Sequence, residues 1–231
     1  AYTYTDATEV APLTSSVSSS NFNARAIFNP NENVAANSGY LVKDRFNAVL
    51  NWQKRFFDNY KTSFGLFYEG RKGKPYSWTY NNDLNGDGVS GNDLMYIPSK
   101  PGSGEVVFRG DTATNHANED RFWAFVNANG DLRSSAGGVT KRNGSFSPWT
   151  NSFDMRISQE VPGFFKDNKG VFTMDFFNVG NMINRKWGRI NEMAFRSAGG
   201  QTRNFVDFAG LDANGRYIYQ VEVRDAQGVK W

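Results

Sequence analysis

The residues best suited to chemistry lie between 83 and 93, where Asp83-Leu84-Asn85-Gly86-Asp87-Gly88-Val89-Ser90-Gly91-Asn92-Asp93 sets oxygen donors at every second position. Side-chain oxygens at loop positions 1, 3 and 5, followed by glycine at 6, begin a calcium loop, because hard cations take oxygen ligands and the glycine permits the sharp turn. Asp83, Asn85 and Asp87 would supply side-chain oxygens, Val89 its carbonyl, and Asp93 the closing carboxylate, with calcium as the only cofactor expected. The closing position departs from the pattern: position 12 is Leu94 and the carboxylate falls one residue earlier. No helical pattern flanks the loop. The competing reading is an Asx-rich turn held by side-chain to backbone hydrogen bonds.

No catalytic constellation accompanies it. The single histidine, His116, and the absence of cysteine argue against imidazole catalysis, thiolate metal sites and a disulfide framework. Asp154 and Glu160 share one strand face, but six residues along a strand is roughly 20 Å, too far for joint acid–base work. Lysines and arginines are scattered and the net charge is only +3, so no nucleic-acid footprint is expected. The protein is read as a non-enzyme.

The elements that must carry this loop show a second pattern. From Phe153, apolar Phe153, Met155, Ile157 and Val161 alternate with Asp154, Arg156, Ser158 and Glu160. Period two marks a strand with one apolar and one polar face. A turn cluster at Pro162-Gly163 through Asp167-Asn168-Lys169-Gly170 leads to Phe172, Met174 and Phe176 opposite Thr173, Asp175 and Phe177. The same design recurs at 44–54 and 60–71, around a turn at Phe57-Asp58-Asn59. Strands are expected near 1–9, 44–54, 60–71, 152–161 and 171–182. A hairpin is also expected from Asn214-Gly215 between Phe205–Phe208 and Tyr217–Val221. A helix is expected from an Asn118 cap through Phe122, Phe125 and Val126.

Short turns (55–59, 162–170) alternate with very long connections (11–43, 72–150, 184–231). About ten residues per strand, tilted near 40°, rise about 25 Å, the height of the apolar band of an outer-membrane barrel. Short turns on one side and long loops on the other are also a barrel habit. Mean hydropathy is −0.60 although 16% of residues are aromatic, which suits long wet loops and aromatic girdles. Trp52, Trp78, Trp149, Trp187 and Trp231 fall close to expected strand ends, a placement that such girdles explain, although core packing would explain any one of them alone. There is no apolar run long enough for a membrane helix, which leaves a barrel open. The chain opens on a strand pattern at Ala1-Tyr2-Thr3-Tyr4, so a leader for export would lie upstream.

Several motifs occur in an order that resembles the C-terminal barrel region of Oar-like TonB-dependent outer-membrane receptors. They are Gly73-Lys74-Pro75-Tyr76-Ser77-Trp78-Thr79-Tyr80, the run DLNGDGVSGNDLMYIP at 83–98, Arg142-Asn143-Gly144, Pro148-Trp149 with the strand to Gln159, and Phe177-Asn178-Val179-Gly180-Asn181-Met182-Ile183-Asn184-Arg185. The resemblance runs from about residue 1 to 190. It implies an all-β, antiparallel transmembrane barrel of 22 strands, of which residues 1–231 would supply about five strands with their extracellular loops. It further implies a plug domain, a closing strand and a TonB-contact segment elsewhere in the same receptor. Energy-coupled passage of a bulky solute across the bacterial outer membrane would follow, with membrane lipid and the TonB system as partners. A surface adhesin on the same barrel and a soluble all-β binding module are the rival expectations.

Overall fold

The computed structural model describes residues 1–13, 15–57, 59–165, 168–193 and 201–222. The chain is predominantly β, with sheets that are mainly antiparallel and, among the described residues, none closed into a barrel. It divides into two compact units: residues 1–6, 42–73 and 147–192, and residues 7–41, 74–146 and 193–231.

The first unit is a five-stranded antiparallel meander in chain order. Its strands are Tyr2–Tyr4, Asp44–Phe57, Tyr60–Arg71, Thr150–Pro162 and Lys169–Phe176. All five expected strands are present and paired. The second strand has 14 residues and the fourth 13, well beyond the ~5–6 usual in soluble sheets.

Two boundaries differ from expectation. The first strand ends at Tyr4, and Thr8–Glu9 instead pairs with Ala36–Asn37 in the other unit. The fifth strand ends at Phe176 rather than 182. There Asn178 adopts a left-handed φ of 54°, a conformation asparagine tolerates better than most residues. Its N–H donates to Asp154 Oδ1 at 2.7 Å, while Val179 N–H donates to Phe153 O at 2.7 Å. These bonds fold the chain back into the short helix Gly180–Ile183. The sequence continues to look alternating here, but the backbone has already turned.

The second unit is assembled from the three long connections. They are not loose loops: the second and third share one core made of Tyr76, Trp78, Tyr80, Met95, Ile97, Val106, Phe108, Phe122, Trp123, Val126, Leu132, Phe205, Val206 and Tyr219, and the first joins them through buried Ile27, which bridges to Asp93. Short strands bring distant segments together, Val106–Phe108 parallel to Tyr217–Val221 and Pro75–Trp78 parallel to Thr202–Arg203. The Asn214-Gly215 hairpin forms as expected, joining Val206–Leu211 to Tyr217–Val221.

The expected helix spans Ala117–Ala128 and turns Phe122, Trp123 and Val126 into the core. Its cap is not Asn118, which lies within the first turn. His116 occupies the cap position without a side-chain cap bond, and Asp111 takes that role by accepting the N–H groups of Asn118 and Glu119 at 3.0 and 2.9 Å. A carboxylate there also complements the positive end of the helix dipole. Tyr80 and Tyr219 close the core with their hydroxyls 2.7 Å apart; Tyr219 donates on to Tyr96 O at 2.9 Å and Tyr96 N–H donates to Tyr80 Oη at 3.3 Å. Burial holds both phenols above their ordinary pKa, Tyr80 at about 12, so both stay neutral and can donate.

Candidate functional site

The register of the five strands sorts their side chains onto two faces. On one, Ala48 stands beside Tyr68 and Phe153; Leu50 beside Leu66, Met155 and Phe176; Trp52 beside Phe64, Ile157 and Met174. On the other, Asn51 stands beside Gly65, Arg156 and Asp175, and Gln53 beside Ser63, Ser158 and Thr173. The alternation read from one hairpin therefore continues across four strands as a mainly apolar and a mainly polar face, with Val49 and Phe67 beside Asp154 and Val171 beside Glu160 on the polar one, and Lys54, Thr62 and Gln159 as a polar row on the apolar one. The polar face is internally bonded: Arg156 pairs with Asp175 through Nε–Oδ1 at 2.6 Å and Nη2–Oδ2 at 2.9 Å. Ser158 and Thr173 hydroxyls meet at 3.1 Å, Lys169 reaches Glu160 at 3.2 Å, and Arg45 reaches Glu69 at 2.6 Å.

The apolar face is uncovered. Not one hydrophobic residue of this unit is buried among the described residues, and Leu50 is 65% exposed, Phe172 61% and Trp52 46%. Burying a Leu or Phe side chain contributes about 1.5–3 kcal/mol, so this sheet forgoes in water the term that normally holds sheets together.

Aromatics gather at the two ends of that face. Where the long connections leave, Tyr2, Phe46 and Trp149 form one group, with ring centroids 4.7 and 5.9 Å apart. Tyr68, Phe153 and Trp187 form another at 4.8 and 6.4 Å. Toward the short turns, Trp52 lies 5.8 Å from Phe56, and Phe164 and Phe165 are fully open. Leu50, Leu66, Met155 and Met174 fill the middle. Of the tryptophans near expected strand ends, Trp52, Trp149 and Trp187 lie on this unit and are about half exposed. Trp78 does not: it is 2% exposed in the core of the other unit, where rings of Tyr76, Phe125 and Phe205 surround it. Trp231 lies outside the described residues.

The 83–93 loop belongs to the compact unit and is shaped by its own acids. Asp83 accepts the N–H of Gly86 and of Gly88 at 2.7 and 2.8 Å, Asn85 accepts Asp87 N–H at 2.8 Å, and Asp87 accepts Val89 N–H at 2.8 Å. Gly86 and Gly88 adopt φ of 76° and 84° with open space where a Cβ would stand. Glycine is required there by backbone conformation and not by room.

The Asx-turn reading thus describes the loop's frame. Asp83 and Asp87 are half-buried, Asn85 is exposed, and Val89 and Asp93 are buried. Asp93, 2% exposed, accepts Leu84 and Asn85 N–H groups on Oδ2 at 2.7 and 3.4 Å, while Oδ1 has no donor. Burial pushes its carboxyl upward, opposed by those N–H groups and reinforced by repulsion from Asp87 and Asp83. Asn92, not singled out from the sequence, is fully buried beside it; its amide donates to Asp87 Oδ2 at 3.2 Å and its Oδ1 also lacks a donor. Among the described residues no three acidic, histidine or cysteine side chains converge on one point.

A recess of about 570 Å³ opens elsewhere in the compact unit, lined by Phe28, Glu32, Val34, Val139, Lys141 and neighbouring residues. That volume is within the usual range for small-molecule sites. Above it, Arg142 bridges three backbone carbonyls, of Val10, Glu9 and Val34, at 2.6–2.7 Å. These contacts give the arginine of the Arg142-Asn143-Gly144 motif a structural task. Comparisons with family models, with curated proteins and with solved structures find no match.

Proposed function

We propose that the five-stranded sheet is part of the wall of an outer-membrane β-barrel, its apolar face turned to lipid and its polar face to a wet interior. The carrying observation is the uncovered apolar face, continuous over four strands and edged by aromatics at both ends. From Phe46 to Phe56 the second strand runs about 33 Å at ~3.3 Å per residue. Tilted by 35–45°, this matches an apolar band about 25 Å tall. Each backbone N–H and C=O inside lipid needs a partner, and the ladder supplies these between the inner strands but leaves open the outer edge of Lys169–Phe176 and, because Tyr2–Tyr4 pairs only with Asp44–Phe46, most of the outer edge of Asp44–Phe57. Those edges call for further strands of the same protein.

Within such a barrel the long connections that build the second unit are the extracellular loops. The motifs at 73–80, 83–98 and 177–185 add the resemblance to Oar-like TonB-dependent receptors. The reading is therefore energy-coupled passage of a bulky solute, with the plug and TonB contact supplied by other parts of the receptor.

Two experiments test this. The 231-residue chain expressed alone should aggregate in plain buffer and disperse in detergent; a monodisperse, cooperatively melting monomer without detergent would favour the soluble module instead. In the native host, deleting the gene and deleting TonB should abolish the same solute movement. Loss of surface attachment without any TonB dependence would favour the adhesin.

A further inference from the structure

We propose that the 83–93 loop captures one calcium ion, with Asp93, Asn92 and Asp87 as the side chains that hold it. The oxygens fixed before any cation arrives are those of Asn92 and Asp93. Their backbones are clamped on both sides: Ile27 N–H donates to Asn92 O and Tyr80 N–H to Asp93 O, at 2.8 and 2.9 Å, while Leu94 N–H donates to Ile27 O at 2.8 Å. Neither side chain can swing out to water, and each keeps one buried oxygen with no donor. An unsatisfied buried acceptor is costly, more so when charged.

The orphan oxygen of Asp93 belongs to a carboxylate already bonded to the N–H groups of Leu84 and Asn85, which holds it against the inner side of the loop. Asp87 lies beside Asn92, whose amide donates to Asp87 Oδ2 at 3.2 Å. Asp83 has a different part from the one its position suggests. Both its oxygens are taken by backbone N–H groups of Gly86 and Gly88, so it frames the loop; Asp87 accepts Val89 N–H on Oδ1 but only the side-chain amides of Asn85 and Asn92 on Oδ2, at 3.3 and 3.2 Å, and a cation reaches that oxygen by displacing amides and no backbone bond.

Two carboxylates, the amide oxygen of Asn92 and water make a hard oxygen shell. Calcium accepts six to eight such ligands in flexible geometry, whereas magnesium demands a stricter octahedron. Two carboxylates on an open loop suit affinities of about 10⁻⁴–10⁻³ M, those of extracellular modules. The site lies wholly within the compact unit and holds whether or not the sheet spans a membrane.

The test uses the intact protein in detergent, stripped with chelator and titrated with calcium by calorimetry and by thermal melting. One saturable event is expected, with a higher Tm in calcium and binding at least about tenfold weaker for magnesium. Asp87→Ala, at a half-buried position, should leave the near-ultraviolet spectrum intact and abolish binding. Asp93→Asn keeps the shape, removes the charge, and should do the same. Asp120→Asn, remote in the helix, should bind as the parent does. No heat and no Tm change up to 10 mM calcium (about tenfold above the weakest affinity expected), in protein with a native spectrum, would overturn the site. Binding that survives both substitutions would overturn it as well.

Discussion

The two units of this chain draw on the same residue types and use them in opposite ways. In the compact unit Phe122, Phe205, Ile97, Val126 and Tyr219 are at most 1% exposed, and its strands are short, two to six residues. In the sheet the strands are long, the ladder is regular and no apolar side chain among the described residues is buried. One unit is stabilised by what it hides from water. The other pairs its inner strands and leaves its apolar face uncovered. Residue composition averages over both, which is why a mean hydropathy of −0.60 describes neither.

That contrast can be broken by substitution. The largest effect is expected in the core, where Phe122→Ala should cost about 3–5 kcal/mol in denaturant unfolding followed by near-ultraviolet dichroism. Leu50→Ala on the open face should cost far less, since no protein cavity is created. Similar losses at the two sites would erase the distinction between the units.

Next comes the sheet's own polarity. In the intact protein in lipid, Met155→Arg should cost about 2–4 kcal/mol near the membrane midplane, while Ser158→Arg, on the polar face, should cost much less. Equal costs would mean that the two faces see the same solvent.

Within the core, Tyr219→Phe removes the donor to Tyr96 O and the acceptor of Tyr80. A loss of about 1–3 kcal/mol is expected for the groups left unpaired, against a near-neutral result if water replaces the hydroxyl.

The smallest effect concerns Asp212, at the turn of the 206–221 hairpin. N–H groups of Arg216 and Asn214, with the Arg216 side chain, hold its carboxyl below the ordinary aspartate value. A depressed folded pKa means that its stabilisation is present above the unfolded value and is lost as pH falls through the folded one. Asp212→Asn should therefore flatten the acid limb of the melting curve slightly and leave neutral pH less stable. An unchanged acid limb would show the contact to be idle.

The sheet was legible in the sequence because long strands repeat their period many times, and each hairpin repeats the design of the last. Its limits were less legible: Phe177 and Val179 continue an apolar–polar alternation past the point where Asn178 turns the backbone. The compact unit was hidden for a different reason. Its strands are too short to show a period, and several pair across about 100 residues or more, as Val106–Phe108 does with Tyr217–Val221.

Trp78 looked like a girdle residue beside a strand end, and only those distant pairings reveal that it is core. In the acidic loop the spacing of Asp83, Asn85 and Asp87 raised the expectation of oxygen ligands, and in the structure these oxygens accept the loop's own N–H groups. The division of labour, Asp83 framing and Asn92 joining Asp93, depends on contacts with Ile27 and Tyr80 that the loop's own sequence cannot contain.

The central claim is that one face of the sheet meets lipid and the other water. Because the chain has no cysteine, single cysteines can be placed at 48, 50, 52, 155 and 157 and at 51, 53, 63, 158 and 173. Each variant of the full-length protein, in cells or vesicles, is then reacted with a membrane-impermeant maleimide. The account predicts alternation with period two: the first set protected until detergent is added, the second reactive throughout. Uniform reactivity along the strands, or protection of the second set with exposure of the first, would contradict it.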